Sequence, residues 1–249
     1  MTIPGATGSA SFGSMYAGRG THREVVEWLA ARIFAGTFAE SEVIDLGGVM
    51  GELQVSQTVV REAVKVLTAK GLVAARQKRG TVVRPRERWN LLDDDVLRWQ
   101  LGAGVSEGFY GELHALRCAI EPAAAGLAAG HRTGEDLAAL EDALAAMADA
   151  RGAVPALVEA DAAFHTALLA ASHNRFFARL HQLIIPGLRQ RDLHVHAGAF
   201  EDPVPLHAAV VAAVRDGNAE GARRAMNILL ERAEQDHARA TAADPVLPQ

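Results

Sequence analysis

The chain has 249 residues, which fits two domains at the usual ~100–200 residues each, and it is 49% hydrophobic but only 5% aromatic. Its net charge of −5 hides a split: residues 1–88 hold 12 Lys/Arg against 8 Asp/Glu, and residues 89–249 hold 13 against 22. A single cysteine, Cys118, excludes an internal disulfide framework, recurring alanines favour helix-on-helix packing, and a basic part beside an acidic part implies different partners for each.

The first twenty residues, "MTIPGATGSASFGSMYAGRG", carry no apolar run and no early positive cluster. They are expected to be a disordered arm, residues 1–20, rather than a signal peptide. No apolar stretch approaches the ~20 residues that span a bilayer. Together these features predict a soluble, cytoplasmic protein with no membrane partner.

From Thr21 the pattern is helical, with Val25, Val26, Leu29 and Ile33 at spacings of three and four and Gly36 near the end. Asp45 is placed to cap a short second helix, weakened by Gly47 and Gly48. Ser56 is a good N-cap for a third helix, "QTVVREAVKVLTAK", which buries Val59 or Val60, Ala63, Val64 and Leu67 and stops at Gly71. Beyond it the period changes. Leu72–Arg76 and Thr81–Arg84 read as two short strands joined by a turn at Lys78-Arg79-Gly80. Three helices and a basic hairpin make a winged helix-turn-helix over residues 21–88, closed by Pro85 and followed by a linker, "RERWN".

Only helical signals follow. Helices are predicted at about 91–100, 106–130, 133–150, 154–172, 174–200 with a bend at Pro186-Gly187, 203–216 and 218–240. The expected fold is mainly α: the winged domain, then an all-α bundle of six or seven helices over residues 91–240, then a flexible tail, 241–249. The interior of such a bundle is a natural ligand pocket.

In a helix-turn-helix the second helix of the motif enters the major groove with its N-terminal residues on the bases. Those residues are Ser56, Gln57, Thr58 and Arg61. Arg61 suits a guanine edge or a phosphate, Gln57 suits adenine, and the two hydroxyls reach phosphates. Arg76, Lys78 and Arg79 give the hairpin positive charge for the DNA backbone or minor groove. An ordinary amphipathic helix with a solvated charged face has the same spacing, and the basic hairpin is what favours DNA.

The acidic half carries a second constellation. Leu157, Asp161, Phe164 and Leu168 fall on one helical stripe, with His165 one turn after Asp161. A carboxylate in an apolar stripe is costly unless paired or metal-bound. His207 precedes Val210, Val211 and Val214 on an inward stripe, and Arg117 shares one with Leu113, Leu116 and Ile120. Each alone reads equally as a satisfied core residue, Arg117 pairing with Asp161 or Glu121. Together, Asp161, His165 and His207 suit one divalent ion such as zinc.

The run "VSQTVVREAVKVLTAKGLV" followed by "RGTVVRP" resembles the GntR family of bacterial regulators, whose pattern runs approximately V-S-R-T-x-V-R-E-A-L, L-x-x-x-G-L-V and G-x-G-x-x-V. The helical part resembles the FCD effector domain of its FadR-like branch. The resemblance covers about residues 21–240. It implies no enzyme but a homodimeric transcription factor, expected to be a repressor, bound to a palindromic operator and released by a small carboxylate. It also implies metal binding through an Asp-x-x-x-His pair, matched by Asp161 and His165, with His207 as a later ligand. A helix arginine facing the acidic effector is matched by Arg117.

This chain departs from the family pattern at three places. Gln57 and Gly47 stand where arginines that commonly contact DNA are usual. Leu229 stands at the usual fourth-ligand position, 22 residues after His207, leaving His194, His196, water or the effector's oxygens to complete a shell, or a site that holds no metal. "WNLLDDDVLRWQ" resembles a segment of FCD regulators of sugar-acid catabolism, such as those answering to galactonate or gluconate, so an aldonate is the expected effector; its tryptophans and leucines also serve to pack the linker helix onto the bundle. Two other functions fit fewer features: a metal-dependent hydrolase built on the Asp/His cluster, and a ligand-insensitive dimeric DNA-binding protein.

Overall fold

The protein is described by a computed structural model covering residues 20–105, 107–150, 152–196 and 201–243. The expected arm lies outside these residues except for Gly20. The expected tail lies outside them except for Thr241–Ala243, which extend the last helix. The chain divides into two compact units at Gly104–Val105.

In the first unit, α1 (Gly20–Phe34), α2 (Leu46–Leu53) and α3 (Gln57–Ala69) precede a hairpin of β1 (Val73–Arg76) and β2 (Gly80–Val83). The caps are the expected ones. Asp45 Oδ1 accepts from Gly47 N at 2.9 Å, and Ser56 Oγ accepts from Val59 N at 3.5 Å. A Cβ on Gly48 would lie 2.9 Å from Asp45 Oδ2, so the glycines that weaken α2 also leave room for its cap. Gly71 ends α3 with φ +81°, and a Cβ there would sit 2.6 Å from the Arg88 carbonyl oxygen. Both facts demand glycine.

The hairpin gains a third partner that the sequence did not announce. Ser41 N donates to Val83 O, Val83 N to Glu42 O and Ile44 N to Thr81 O, at 2.9–3.0 Å. Val43 bridges Val82 in antiparallel sense. This edge carries the chain from α1 to α2 and covers β2.

Helix α4 (Asp94–Ala103) belongs to the winged unit. The sequence assigned it to the bundle. Its Val96 and Trp99, with Trp89 before it, join the core formed by Val26, Leu29, Ile33 and Leu67. Phe34 meets the Trp89 ring edge-on at 4.6 Å between centroids. Polar bonds fix the same joint: Trp99 Nε1 donates to Glu27 Oε2 at 2.6 Å, Arg98 bonds Glu27, and Lys70 bridges Asp93 at 2.6 Å and Asp95 at 3.0 Å. Leu92, expected to pack, is 73% exposed.

The second unit holds α5 (Glu107–His131), α6 (Gly134–Asp149), α7 (Val154–Ala171), α8 (Arg175–Arg179), α9 (His181–Val195), α10 (Val204–Arg215) and α11 (Ala219–Ala243). The expected helix over 174–200 is two helices that meet at Leu180, and Pro186 lies inside the second. By length and composition α7 is apolar enough to cross a membrane, which the sequence reading did not register. It is the core helix of the bundle: Leu157, Phe164 and Leu168 are at most 4% exposed and pack with Val210, Val214 and Met226. α7 also packs against α5, α6 and α9, and the stripe of Ala156, Glu159, Ala163 and Ala170 stays exposed.

If α4 is part of the winged unit, Trp99→Ala destabilises that unit alone. Removing this ring from a 6%-exposed site is expected to cost about 3–5 kcal/mol. Hydrogen exchange reads the outcome: protection falls in α1 and α3 and is unchanged in α6 and α7. Loss confined to the bundle amides would contradict the assignment.

Candidate DNA-reading face and effector cavity

The first unit presents its candidate DNA contacts on one helix start and one turn. Ser56 caps α3, so Gln57, Thr58 and Arg61 occupy its first turns, and all four are exposed. Arg76, Lys78 and Arg79 sit at the hairpin turn, where Lys78 has φ +62° and Gly80 φ +97°, and all three are exposed. Among the described residues Arg61, Arg76, Lys78 and Arg79 make no ion pair, whereas Lys65, one turn beyond Arg61, is held by Glu62 at 2.7 Å. The four unpaired cations are therefore free to meet phosphates without first breaking an internal bond. Gly47 is exposed near the start of α2, and nothing in its position replaces the charge of an arginine.

The second unit holds a partly open cavity of about 240 Å³. That is just under the ~300–1,000 Å³ of drug-sized pockets and suits a small metabolite. Arg117, Asp161, His165 and His207 all line it, so α5, α7 and α10 bring together the four residues that spacing had pointed inward. Asp161 is 7% exposed, His207 3%, Arg117 2% and His165 1%.

Charge organises this wall. Arg117 donates from Nε to Glu121 Oε1 at 2.8 Å and from Nη2 to Glu121 Oε2 at 3.4 Å. The sequence left its partner open between Asp161 and Glu121, and the structure selects Glu121, one helical turn on. Burial alone would raise the Glu121 carboxyl, but Arg117 and His165 outweigh it and hold it at about 2. Arg117 Nη2 also reaches His165 Nε2 at 3.1 Å, and His165 Nδ1 lies 3.0 Å from Glu121 Oε2. Asp161 stands between the imidazoles, with His207 Nε2 3.0 Å from Oδ1 and His165 Nε2 3.6 Å from Oδ2. Burial opposes its ionisation, yet His165, His207 and Arg117 hold it well below the ordinary carboxylate range.

These residues fit a divalent ion. One donor atom from each of Asp161, His165 and His207 lies within 4.8 Å of the others. Asp161 Oδ2 and His207 Nε2 are buried and have no hydrogen-bond partner. His207 Nδ1 is 2.8 Å from the Pro203 carbonyl oxygen, which fixes Nδ1 as the protonated nitrogen and leaves the Nε2 lone pair facing Asp161. A lone pair opposite a carboxylate oxygen needs a cation between them, either a proton or a metal. A metal that takes the His165 Nε2 lone pair has to displace the Arg117 contact.

Leu229, 4% exposed, lines the same cavity, so the apolar residue does stand beside the cluster. Of the two alternative histidines, His196 lines the cavity and His194 does not. Other charged lining residues escaped the sequence reading, among them Asp192, Arg191 and Arg232. For Asp192 the signal was present, because it follows Ile184 and Leu188 at spacings of four on the buried stripe of α9.

Comparison with known proteins agrees with this layout. Residues 21–83 match the family described as bacterial regulatory proteins, gntR family, and residues 112–232 match the FCD domain. The Escherichia coli K12 HTH-type transcriptional regulator YieP is 32% identical over 219 residues, 83% of this chain and 90% of that one. The chain belongs to the GntR family of regulators. Its winged domain is thus a DNA-binding domain, its FCD domain takes a small-molecule effector, and relatives of this kind are transcriptional regulators rather than enzymes. The galactonate operon transcriptional repressor of Escherichia coli K12 is 36% identical over 129 residues, 52% of this chain, and the match spans little more than half of that repressor, 56%. The solved structure of Lar, described as controlling the Listeria monocytogenes agr system, shares the GntR fold at 19% identity, with a TM-score of 0.54 over 92% of this chain and 99% of that one.

The Arg117–Glu121 pair is expected to be essential to the FCD fold. Glu121→Gln leaves a buried guanidinium without its charge partner and should cost about 3–5 kcal/mol, read by urea unfolding at pH 7. The pH dependence follows the same carboxylate. Its folded value of about 2 lies below the ordinary 4.5, so its stabilisation is complete above pH 4.5 and is lost as pH falls toward 2. A variant as stable as the wild type, with an unchanged acid limb, would show that Arg117 is satisfied otherwise.

Proposed function

We propose that this GntR regulator is a cytoplasmic, homodimeric repressor that leaves a palindromic operator when a sugar-acid monocarboxylate, an aldonate, enters the FCD cavity. The observation that carries this reading is the cavity wall itself: a buried arginine beside an Asp/His cluster, in a volume suited to a small polar metabolite. The galactonate repressor's name supports the sugar-acid class. In this reading Ser56, Gln57, Thr58 and Arg61 contact the major groove, and Arg76, Lys78 and Arg79 the backbone or minor groove. Arg117 receives the carboxylate. Asp161, His165 and His207 hold a divalent ion, zinc or similar, which supplies a Lewis-acidic partner for effector oxygens. Ligand entry weakens DNA binding only if the effector favours the conformation that does not fit the operator.

Mobility shift with the DNA upstream of the protein's own coding sequence tests this directly. Gluconate or galactonate is expected to release the DNA, and Arg117→Lys, which keeps a positive charge beside Glu121, to bind DNA but be released only at higher sugar-acid concentration. DNA affinity indifferent to every sugar acid would favour a bundle that only dimerises. Metal binding is read separately by calorimetry with Zn²⁺, where His207→Ala should weaken affinity at least ~10-fold.

The DNA contacts make their own prediction. Arg61→Ala should lose about 1–3 kcal/mol of discrimination at one base pair. Gln57 suits an A·T pair, so Gln57→Arg should shift preference there toward G·C. Affinities measured across sites mutated one position at a time decide it, and identical site rankings for both proteins would sink the assignment of Gln57.

A further inference from the structure

Asp192 is one of the charged residues that line the cavity beyond Arg117 and the Asp/His cluster. It lies on α9, is 1% exposed and lines the cavity. Its Oδ1 is taken by Arg191, whose Nε donates at 2.8 Å and whose Nη2 also donates. Its Oδ2 is buried and has no hydrogen-bond partner. A buried carboxylate oxygen with no partner is costly, and this one borders the space that a ligand would fill.

The electrical surroundings of Asp192 differ from those of Arg117. Burial pushes its carboxyl up, the Asp161 charge pushes the same way, and Arg191 only partly opposes them. Glu201, Asp202 and Asp236 line the same cavity, with Arg232 paired to Glu201. A second ligand carboxylate is repelled here. A hydroxyl is not. It donates to Oδ2 when Asp192 is ionised and accepts from it when Asp192 is protonated, so it satisfies the orphan oxygen in either state.

We propose that Asp192 is the specificity-determining residue of the cavity: its Oδ2 bonds a hydroxyl of the effector and excludes a second carboxylate, so the effector is a polyhydroxy monocarboxylate and not a dicarboxylate. This rests on the reading of the cavity as a sugar-acid site. Arg117 and the Asp/His cluster take the single carboxylate, and the hydroxylated chain turns toward α9. A site that bonds a hydroxyl also discriminates against an analogue lacking it, because the carboxylate oxygen is then left unpaired.

Calorimetry on the full chain, with gluconate and galactonate against the matching diacids glucarate and galactarate, tests the assignment. The wild type should bind at least one aldonate at least ~10-fold more tightly than its diacid. Asp192→Asn keeps a hydrogen-bonding group and removes the charge, so aldonate affinity should stay within a few-fold while the diacid gains ~10-fold or more. Asp192→Leu removes the bond and should weaken the aldonate at least ~10-fold, with circular dichroism and operator binding reporting that the chain is folded. Arg191→Gln separates reading from anchoring: it leaves Asp192 in place and should preserve the preference for the monoacid. Equal binding of monoacid and diacid by the wild type overturns the role of Asp192 and leaves the sugar-acid reading intact. Loss of the preference in Arg191→Gln but not in Asp192→Asn overturns it too. Binding of neither acid class overturns the sugar-acid reading and this assignment with it.

Discussion

A guanidinium that is 2% exposed cannot sit inside a helical bundle unless a carboxylate comes with it. Arg117 and Glu121 enter the core of the second unit as such a pair, one turn apart on α5. Isolated transfer of either group from water would cost far more than a domain's whole stability margin. The pair therefore dictates what surrounds it. His165 is drawn to Glu121, Asp161 is held ionised by the positive groups that face it, and the Pro203 carbonyl turns His207 so that its Nε2 faces Asp161. α5, α7 and α10 are tied together by this polar chain and by the apolar stripes on either side.

The two units treat cations in opposite ways, and function follows the difference. At the joint of α1, α3 and α4 two basic side chains are spent internally: Lys70 on Asp93 and Asp95, Arg98 on Glu27 and Asp95. Those charges hold structure and are unavailable to a ligand. Arg61, Arg76, Lys78 and Arg79 have no such partner among the described residues. They gather on the helix start and hairpin turn that a winged helix-turn-helix presents to DNA. The charge split visible along the sequence thus understates the asymmetry, since what matters is which charges lack an internal partner.

Much of this was legible from residue order. Ser56 before an amphipathic run, a glycine stop at Gly71 and a basic turn read as a recognition helix and wing, because each rests on local bonds. Asp161 and His165 one turn apart on an apolar stripe read as inward polar groups, because helical periodicity alone places them. What failed has a common cause. The 41–44 edge has no period of its own and becomes strand-like only because β2 offers unpaired groups beside it. Helix α4 carries apolar residues that would pack equally well on either unit; its place is decided by Glu27 and Lys70, both distant in sequence. The Leu180 break occurs without a glycine or proline at the junction, and Pro186, read as the place of a bend, lies inside α9.

Asp192 marks a different limit. Its spacing from Ile184 and Leu188 is as informative as that of Asp161 from Leu157, yet its neighbour Arg191 offers an adjacent partner that makes a surface ion pair the simpler reading. Only the separate fates of its two oxygens distinguish the cases. Oδ1 is neutralised in place, and Oδ2 is left at the cavity. Sequence can count charges and match signs, but it counts a carboxylate as one group. A binding site treats it as two acceptors, and the one that the fold leaves unpaired is the one that is available to a ligand.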